Sequence, residues 1–167
     1  VGTSSGTFLN ELTQRGYTGQ IVPSTNAVLG AWDFVTSMVP ESSLNGMLVP
    51  HFYPLWVDGT PFIENADEVL TERHPAEAEE LKKGTTWISA WLTAHVLCEA
   101  VRQAAATVGA ENVDGAAIRD AFDTMSLEIE GMPEITLAGH GTHHVFQPSC
   151  RMIKYDAGQD DFYAVTD

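Results

Sequence analysis

The sequence predicts an α/β fold of three layers, with helices on both faces of a mainly parallel sheet. Three observations carry that expectation. Helical and short apolar segments alternate over the first fifty residues with brief turns between them. Strand, helix, strand in that order implies parallel pairing, because each return passes through a helix. The segment from Thr85 to Val108 holds no Gly or Pro and is apolar around more than half its circumference. A helix of that kind lies against a sheet and beneath neighbours. Two short apolar runs close the chain on either side of Asp156-Ala157-Gly158, as strands joined by a turn do.

Each element has a local reason. Thr3 to Arg15 reads as a helix with Phe8, Leu9 and Leu12 in one stripe, capped by Ser4 or Ser5 and stopped by Gly16. Gln20-Ile21-Val22-Pro23 reads as a short buried strand. A second helix spans about Leu29 to Val39, with Trp32, Val35 and Val39 on one side and Pro40 ending it. Gly46 to Pro50 is an apolar strand. Between Asp58 and Lys83 the chain is charged and carries Pro61 and Pro75, which predicts surface helices near Ile63–Glu72 and Ala76–Lys82. After the long helix, closed by Gly109, Asp114 caps a helix of about Gly115 to Met125. Its Ile118, Ala121, Phe122 and Met125 fall at i, i+3, i+4 and i+7. Pro133–Leu137, Val145–Tyr155 and Phe162–Val165 read as strands.

Composition narrows the function. The 167 residues carry 8 Lys and Arg against 23 Asp and Glu, a formal net charge of −15. Such a surface repels phosphate backbones and anionic membranes, so nucleic acid is not an expected partner. An acidic surface of this kind suits a saline habitat and an ordinary one alike. No run of 18 apolar residues is free of polar breaks, so the sequence predicts no spanning helix. Cys98 and Cys150 make no disulfide framework; they suit one bridge or two small buried hydrophobes. Val1 is not an initiator Met and no signal segment follows, so the chain reads as a fragment or a processed product.

Some residues invite chemistry. In open parallel sheets, ligands sit beyond the carboxyl ends of strands. Ser24, Thr25 and Asn26 stand at such an end, although capping the next helix would employ the same residue types. Thr3 and Ser4 stand at a helix N-terminus, where free N–H groups favour a polar or anionic group. His140, His143 and His144 form the one cluster with metal-ligand side chains. Gly141 separates them and no acidic third ligand is near in sequence, so a loop with solvated histidines is the expectation, with no metal. His95 sits mid-helix among apolar residues, where a core histidine is the default. Asp58, Glu64, Asp67, Glu68 and Glu72 are spaced as a solvated surface. There is no Gly-x-Ser-x-Gly elbow, P-loop or Gly-x-Gly-x-x-Gly, so no catalytic residue is assigned and no cofactor is expected.

The order of these pieces resembles a known family. FLNELTQRGYTGQIVPST, GMLVPHFY, TTWISAWLTAHVLCEAVRQA, VDGAAIRDAFDTM and RMIKYDAGQDDFYAV follow one another as in the C-terminal half of a type I periplasmic solute-binding protein. The nearest group is the branched-chain amino acid and amide/urea receptors of ABC importers. HHVFQPSCRMIKYD leans towards the amide/urea branch.

That resemblance implies an incomplete two-lobe fold that traps a small polar organic solute, an amino acid, amide or urea-like compound, in an interlobe cleft. Residues 1–50 would be part of the second, C-terminal lobe. Residues 51–140 would be part of the first lobe, including the long helix 85–108. Residues 141–167 would be the return crossover and closing strands. Phe52 and Tyr53, with His51 and Trp56 beside them, would follow a crossover strand and supply an aromatic cleft wall. The family's acidic partner for a ligand ammonium falls near Thr25, which is no carboxylate. An uncharged or amide-like solute suits that difference better than an α-amino acid. The implied ligand-binding set is Thr3, Ser4, Ser24, Thr25, Asn26, Phe52 and Tyr53. The implied partners are the solute, an ABC permease in the membrane, and the missing N-terminal half of the parent chain or a second chain. The implied location is periplasmic or extracytoplasmic, with export and lipid anchoring residing in the absent N-terminus. The same scaffold also serves as the ligand-sensing domain of a regulator or receptor. The third alternative is a metal-dependent hydrolase using His140, His143 and His144.

Overall fold

The computed structural model describes residues 2–23, 27–132, 135–136 and 150–165. In chain order its elements begin with α1 (Gly2–Gln14), α2 (Ala27–Gly30), α3 (Trp32–Met38), α4 (Glu41–Leu44) and β1 (Leu48–His51). Then come α5 (Pro61–Arg73), α6 (Ala78–Leu81), α7 (Thr86–Val108) and α8 (Gly115–Phe122). The chain finishes with β2 (Ser126–Leu127), β3 (Ile135–Thr136), β4 (Arg151–Asp156) and β5 (Asp161–Ala164). Two compact units result. One draws on Val1–Tyr53, His74–Thr86 and Ser149–Asp167, the other on Pro54–Arg73 and Trp87–Pro148.

The first unit is built on a sheet of order β1-β4-β5. Val49 and His51 of β1 and Ile153 and Tyr155 of β4 are buried, each at 1 % exposure or less. They alternate with half-buried neighbours, the period-two pattern of a strand with one core face. Trp32 packs edge-on to Tyr155 and Phe162, with ring centroids 4.7 and 4.8 Å away. Helix α1 packs on α3 at Gly6, where an added Cβ would stand 3.1 Å from Met38 Sδ. The segment leading into α7 is tied back to α2: Thr85 N donates to Leu29 O at 3.3 Å and Thr86 Oγ1 to Gly30 O at 2.7 Å.

The mainly parallel sheet expected from sequence is corrected here. Among the described residues every strand pair is antiparallel. The reason lies in the partner of β1. Its neighbour is not the preceding apolar segment but β4, with Leu48 opposite Lys154 and His51 opposite Arg151. A four-residue turn then folds β5 back on β4, which allows only antiparallel pairing. Residues 20–23 form no strand; Ile21 O accepts one backbone bond from Leu48 N at 3.0 Å, without a ladder.

Three smaller expectations also change. Ser4 and Ser5 lie inside α1, since the helix begins at Gly2. The helix expected over residues 29–39 is broken at Ala31 into α2 and α3. Cys98 and Cys150 are both free and exposed, and neither is a buried hydrophobe.

In the second unit, α5 buries Phe62, Ile63, Ala66 and Leu70. Helix α7 buries Ile88, Leu92, Val96, Ala100 and Ala104, every fourth residue. Trp87 Nε1 donates to Ala66 O at 3.3 Å, joining the two helices. Asp114 caps α8, its Oδ1 accepting from Ala117 N at 2.8 Å. Gly131 is required after the β2 turn. Its φ is +83°, and an added Cβ would meet Pro61 Cδ at 2.9 Å and Phe62 N at 3.1 Å. No helix among the described residues is long and apolar enough to cross a membrane.

Candidate functional site

The first unit contains an open cavity of about 540 Å³ beside α1. That volume falls in the range of small-molecule sites. Helix α1 presents Ser4, Ser5, Phe8, Leu9 and Leu12 to it. Tyr17 and residues 20–23 form a second wall, and Val28 of α2 adds to the lining. The placement follows from α1 itself. Its apolar stripe is wider than the contact with α3 can cover, so Leu9 is 3 % exposed while Phe8, one residue earlier, is 62 % exposed.

The polar groups of the cavity are few and partly engaged. Tyr17 hydroxyl donates to Gln20 O at 3.4 Å. Gln20 Nε2 donates to Gly46 O at 2.6 Å and Ile21 O at 3.3 Å, which holds the 20–23 segment beside β1. No charged side chain is among the lining residues described. Apolar walls with two serines among them suit a neutral molecule with a polar group; a bare ion would find no counter-charge among the lining residues described.

The residues singled out from sequence fare differently. Ser4 lines the cavity. Thr3 lies in the first turn of α1. Ser24, Thr25 and Asn26 lie outside the described residues. Phe52 and Tyr53 follow β1 and are not part of this lining. Phe52 is exposed, while Tyr53 packs edge-on to His51 at 4.3 Å and its hydroxyl meets Thr85 Oγ1 at 3.2 Å. His140, His143 and His144 lie outside the described residues. Among the described residues no group of three His, Cys, Asp or Glu is placed to hold a metal. Apart from Ser4, no lining residue, Tyr17, Gln20 and Val22 among them, was expected from sequence to form a wall. A signal existed in Phe8 and Leu12, apolar residues one turn apart in the stripe of α1.

A second polar cluster in this unit is an ion-pair arrangement. Glu80 pairs with Lys83 at 2.6 Å, and the hydrogen bond from Lys83 holds the Glu80 carboxyl below its usual range. Asp33 is pushed up, first by desolvation and then by Glu80. These groups satisfy one another, and no cavity described opens on them.

No protein-family model matches this sequence, and no curated protein matches it. Solved structures do match the fold. One is a branched-chain amino acid ABC transporter from Thermus thermophilus with bound valine, at TM-score 0.65 and 13 % identity, covering 98 % of this chain and 42 % of that one. Another is a possible leucine/isoleucine/valine-binding protein from Rhodopirellula baltica SH 1, at TM-score 0.69 and 14 % identity, covering 97 % and 40 %. A fatty acid ABC transporter substrate-binding protein from Thermomonospora curvata matches at TM-score 0.61 and 10 % identity, covering 97 % and 39 %. The fold is that of type I periplasmic binding proteins. The chain spans about two fifths of the length of these solved structures.

Proposed function

We propose that this chain is part of the substrate-binding component of an ABC importer and captures a small, uncharged polar organic solute, amide- or urea-like, without transforming it. The observation that carries the reading is the fold match, which runs over 97–98 % of the chain and falls on solute-binding proteins of ABC transporters. The uncharged lining of the cavity beside α1 supports the solute class. In this reading Ser4 contributes a hydroxyl, and Thr3, Ser24, Thr25, Asn26, Phe52 and Tyr53 remain candidate contacts. The protein is extracytoplasmic and delivers its solute to a membrane permease. The remaining part of the solute-binding fold completes it.

Binding a solute to the folded state alone raises stability by about 2.7 kcal/mol at a hundredfold excess over Kd. The test is thermal denaturation of the protein purified from its source, with urea, short amides and branched-chain amino acids added in turn. A rise in melting temperature with urea or a short amide, weakened by Ser4→Ala and Tyr17→Phe, is expected. No rise with either, a rise with branched-chain amino acids alone, or turnover of an added compound, overturns the reading.

A further inference from the structure

Helix α1 gives the cavity a graded wall. Its lining residues Ser4, Ser5, Phe8, Leu9 and Leu12 fall at i, i+1, i+4, i+5 and i+8, which is one face of a helix. From the first turn of α1 to its last, that face reads Ser-Ser, Phe-Leu, Leu. It is polar at its start and apolar over the rest. Ser4 and Leu12 are eight residues apart, about 12 Å along the axis. Tyr17 stands where the face runs out. The helix closes with Gly16 at φ +67°, Gly16 N donating to Thr13 O at 2.9 Å and Tyr17 N to Leu12 O at 3.0 Å. This pair of bonds brings the residue after the glycine back to the last turn. The Tyr17 ring then crosses the turn and lies on Gly19, where an added Cβ would overlap its hydroxyl and stand 2.5 Å from Cζ. Gly19 does not adopt the left-handed φ, so the backbone would accept another residue there. What demands glycine is the phenol.

We propose that Gly19 seats the Tyr17 ring as the end stop of this cavity, and that the solute is a primary amide with an apolar body whose length the stop sets. This rests on the solute-capture reading and deepens it. The amide lies toward Ser4 and Ser5, whose hydroxyls both donate and accept as a carboxamide requires. The apolar body runs along Phe8, Leu9 and Leu12 toward Tyr17. Ile21, Val22, Pro23 and Val28 add apolar surface that urea, with no hydrocarbon part, would leave uncovered. Gly19 is absent from the lining residues described, so it is a positioning residue that acts through the ring.

The experiment titrates straight-chain primary amides, acetamide through octanamide, into the full-length protein by calorimetry, with urea alongside. Affinity is expected to rise about fourfold for each added methylene, the worth of burying that group, and to stop rising at one chain length. Tyr17 is 51 % exposed, so Tyr17→Ala leaves the core intact, and it is expected to move that limit to longer amides. Gly19→Ala is expected to move the limit too, because the added methyl displaces the phenol. With both substitutions together the limit is expected to match Tyr17→Ala alone, which a glycine of merely structural importance would not produce. Urea or acetamide binding as tightly as hexanamide overturns the proposal and leaves solute capture standing. A limit that Tyr17→Ala or Gly19→Ala leaves in place also overturns it. Binding of hexanamide with none of urea or acetamide upholds it and overturns the reading of a urea-like solute. No binding of any amide overturns both.

Discussion

Tyr155 joins the core and the closing turn in one side chain. Its ring is fully buried against Trp32 and Phe162, and its hydroxyl donates to Asp160 Oδ1 at 2.8 Å. Burial, with the Asp160 carboxylate second, raises its pKa above the usual 10.0. The folded state therefore keeps the phenol proton when the unfolded chain has lost it. Stability from this group is complete below pH 10.0 and falls as pH rises past that value. Tyr155→Phe is expected to cost about 1–3 kcal/mol near neutrality, the worth of a hydrogen bond to a charged acceptor. It should also flatten the alkaline decline, as read from urea denaturation between pH 7 and 11. Ile153, also fully buried, offers a plain packing comparison: Ile153→Ala is expected to cost about 2–5 kcal/mol at any pH in that range.

At the scale of elements, legibility tracks how local the cause is. The long α7 was evident from its lack of Gly and Pro, and β4 and β5 from the Asp156-Ala157-Gly158 turn between two apolar runs. The Asp114 cap was evident for the same reason, since its bond reaches only Ala117. The failures have long-range causes. Ile21 to Pro23 has a strand's composition, but β1 takes its ladder from β4. The stripe of Phe8, Leu9 and Leu12 was legible, but nothing local reveals that Leu9 is buried while Phe8 is left open to a cavity. Of the candidate site only Ser4 was anticipated as a wall, because the others are walls through packing and carry no motif. Within α7, Glu99 supplies an element-scale prediction. Arg102 and then Gln103 hydrogen-bond its carboxyl and lower its pKa from 4.5 to about 2. That contribution is complete above pH 4.5 and is lost as pH falls towards 2. Arg102 is 69 % exposed, so the worth is below about 1 kcal/mol. Glu99→Gln should reduce the acid-side fall in helicity over that interval, followed by circular dichroism.

For the whole molecule, the order of pieces along the chain was the most informative property of the sequence. No single piece specifies the fold, yet their succession gives the same answer as solved structures only 10–14 % identical. The sheet direction was not legible, because it depends on which strand returns to β1 after the excursion through the second unit. A chain stopped before Cys150 should lose the asymmetric environment of Trp32, which packs on Tyr155 and Phe162. The near-ultraviolet circular dichroism of tryptophan would report this, and an unchanged signal would contradict the packing described.

The pairing of Leu48 with Lys154 spans about a hundred residues. At ribosomal speeds of roughly 5–20 residues per second, β1 emerges roughly 5–20 s before the strand that completes it. Through that interval its ladder groups are open to any other extended chain, so nascent β1 is the point where this polypeptide is most exposed to chaperone capture or to mispairing with a sister molecule.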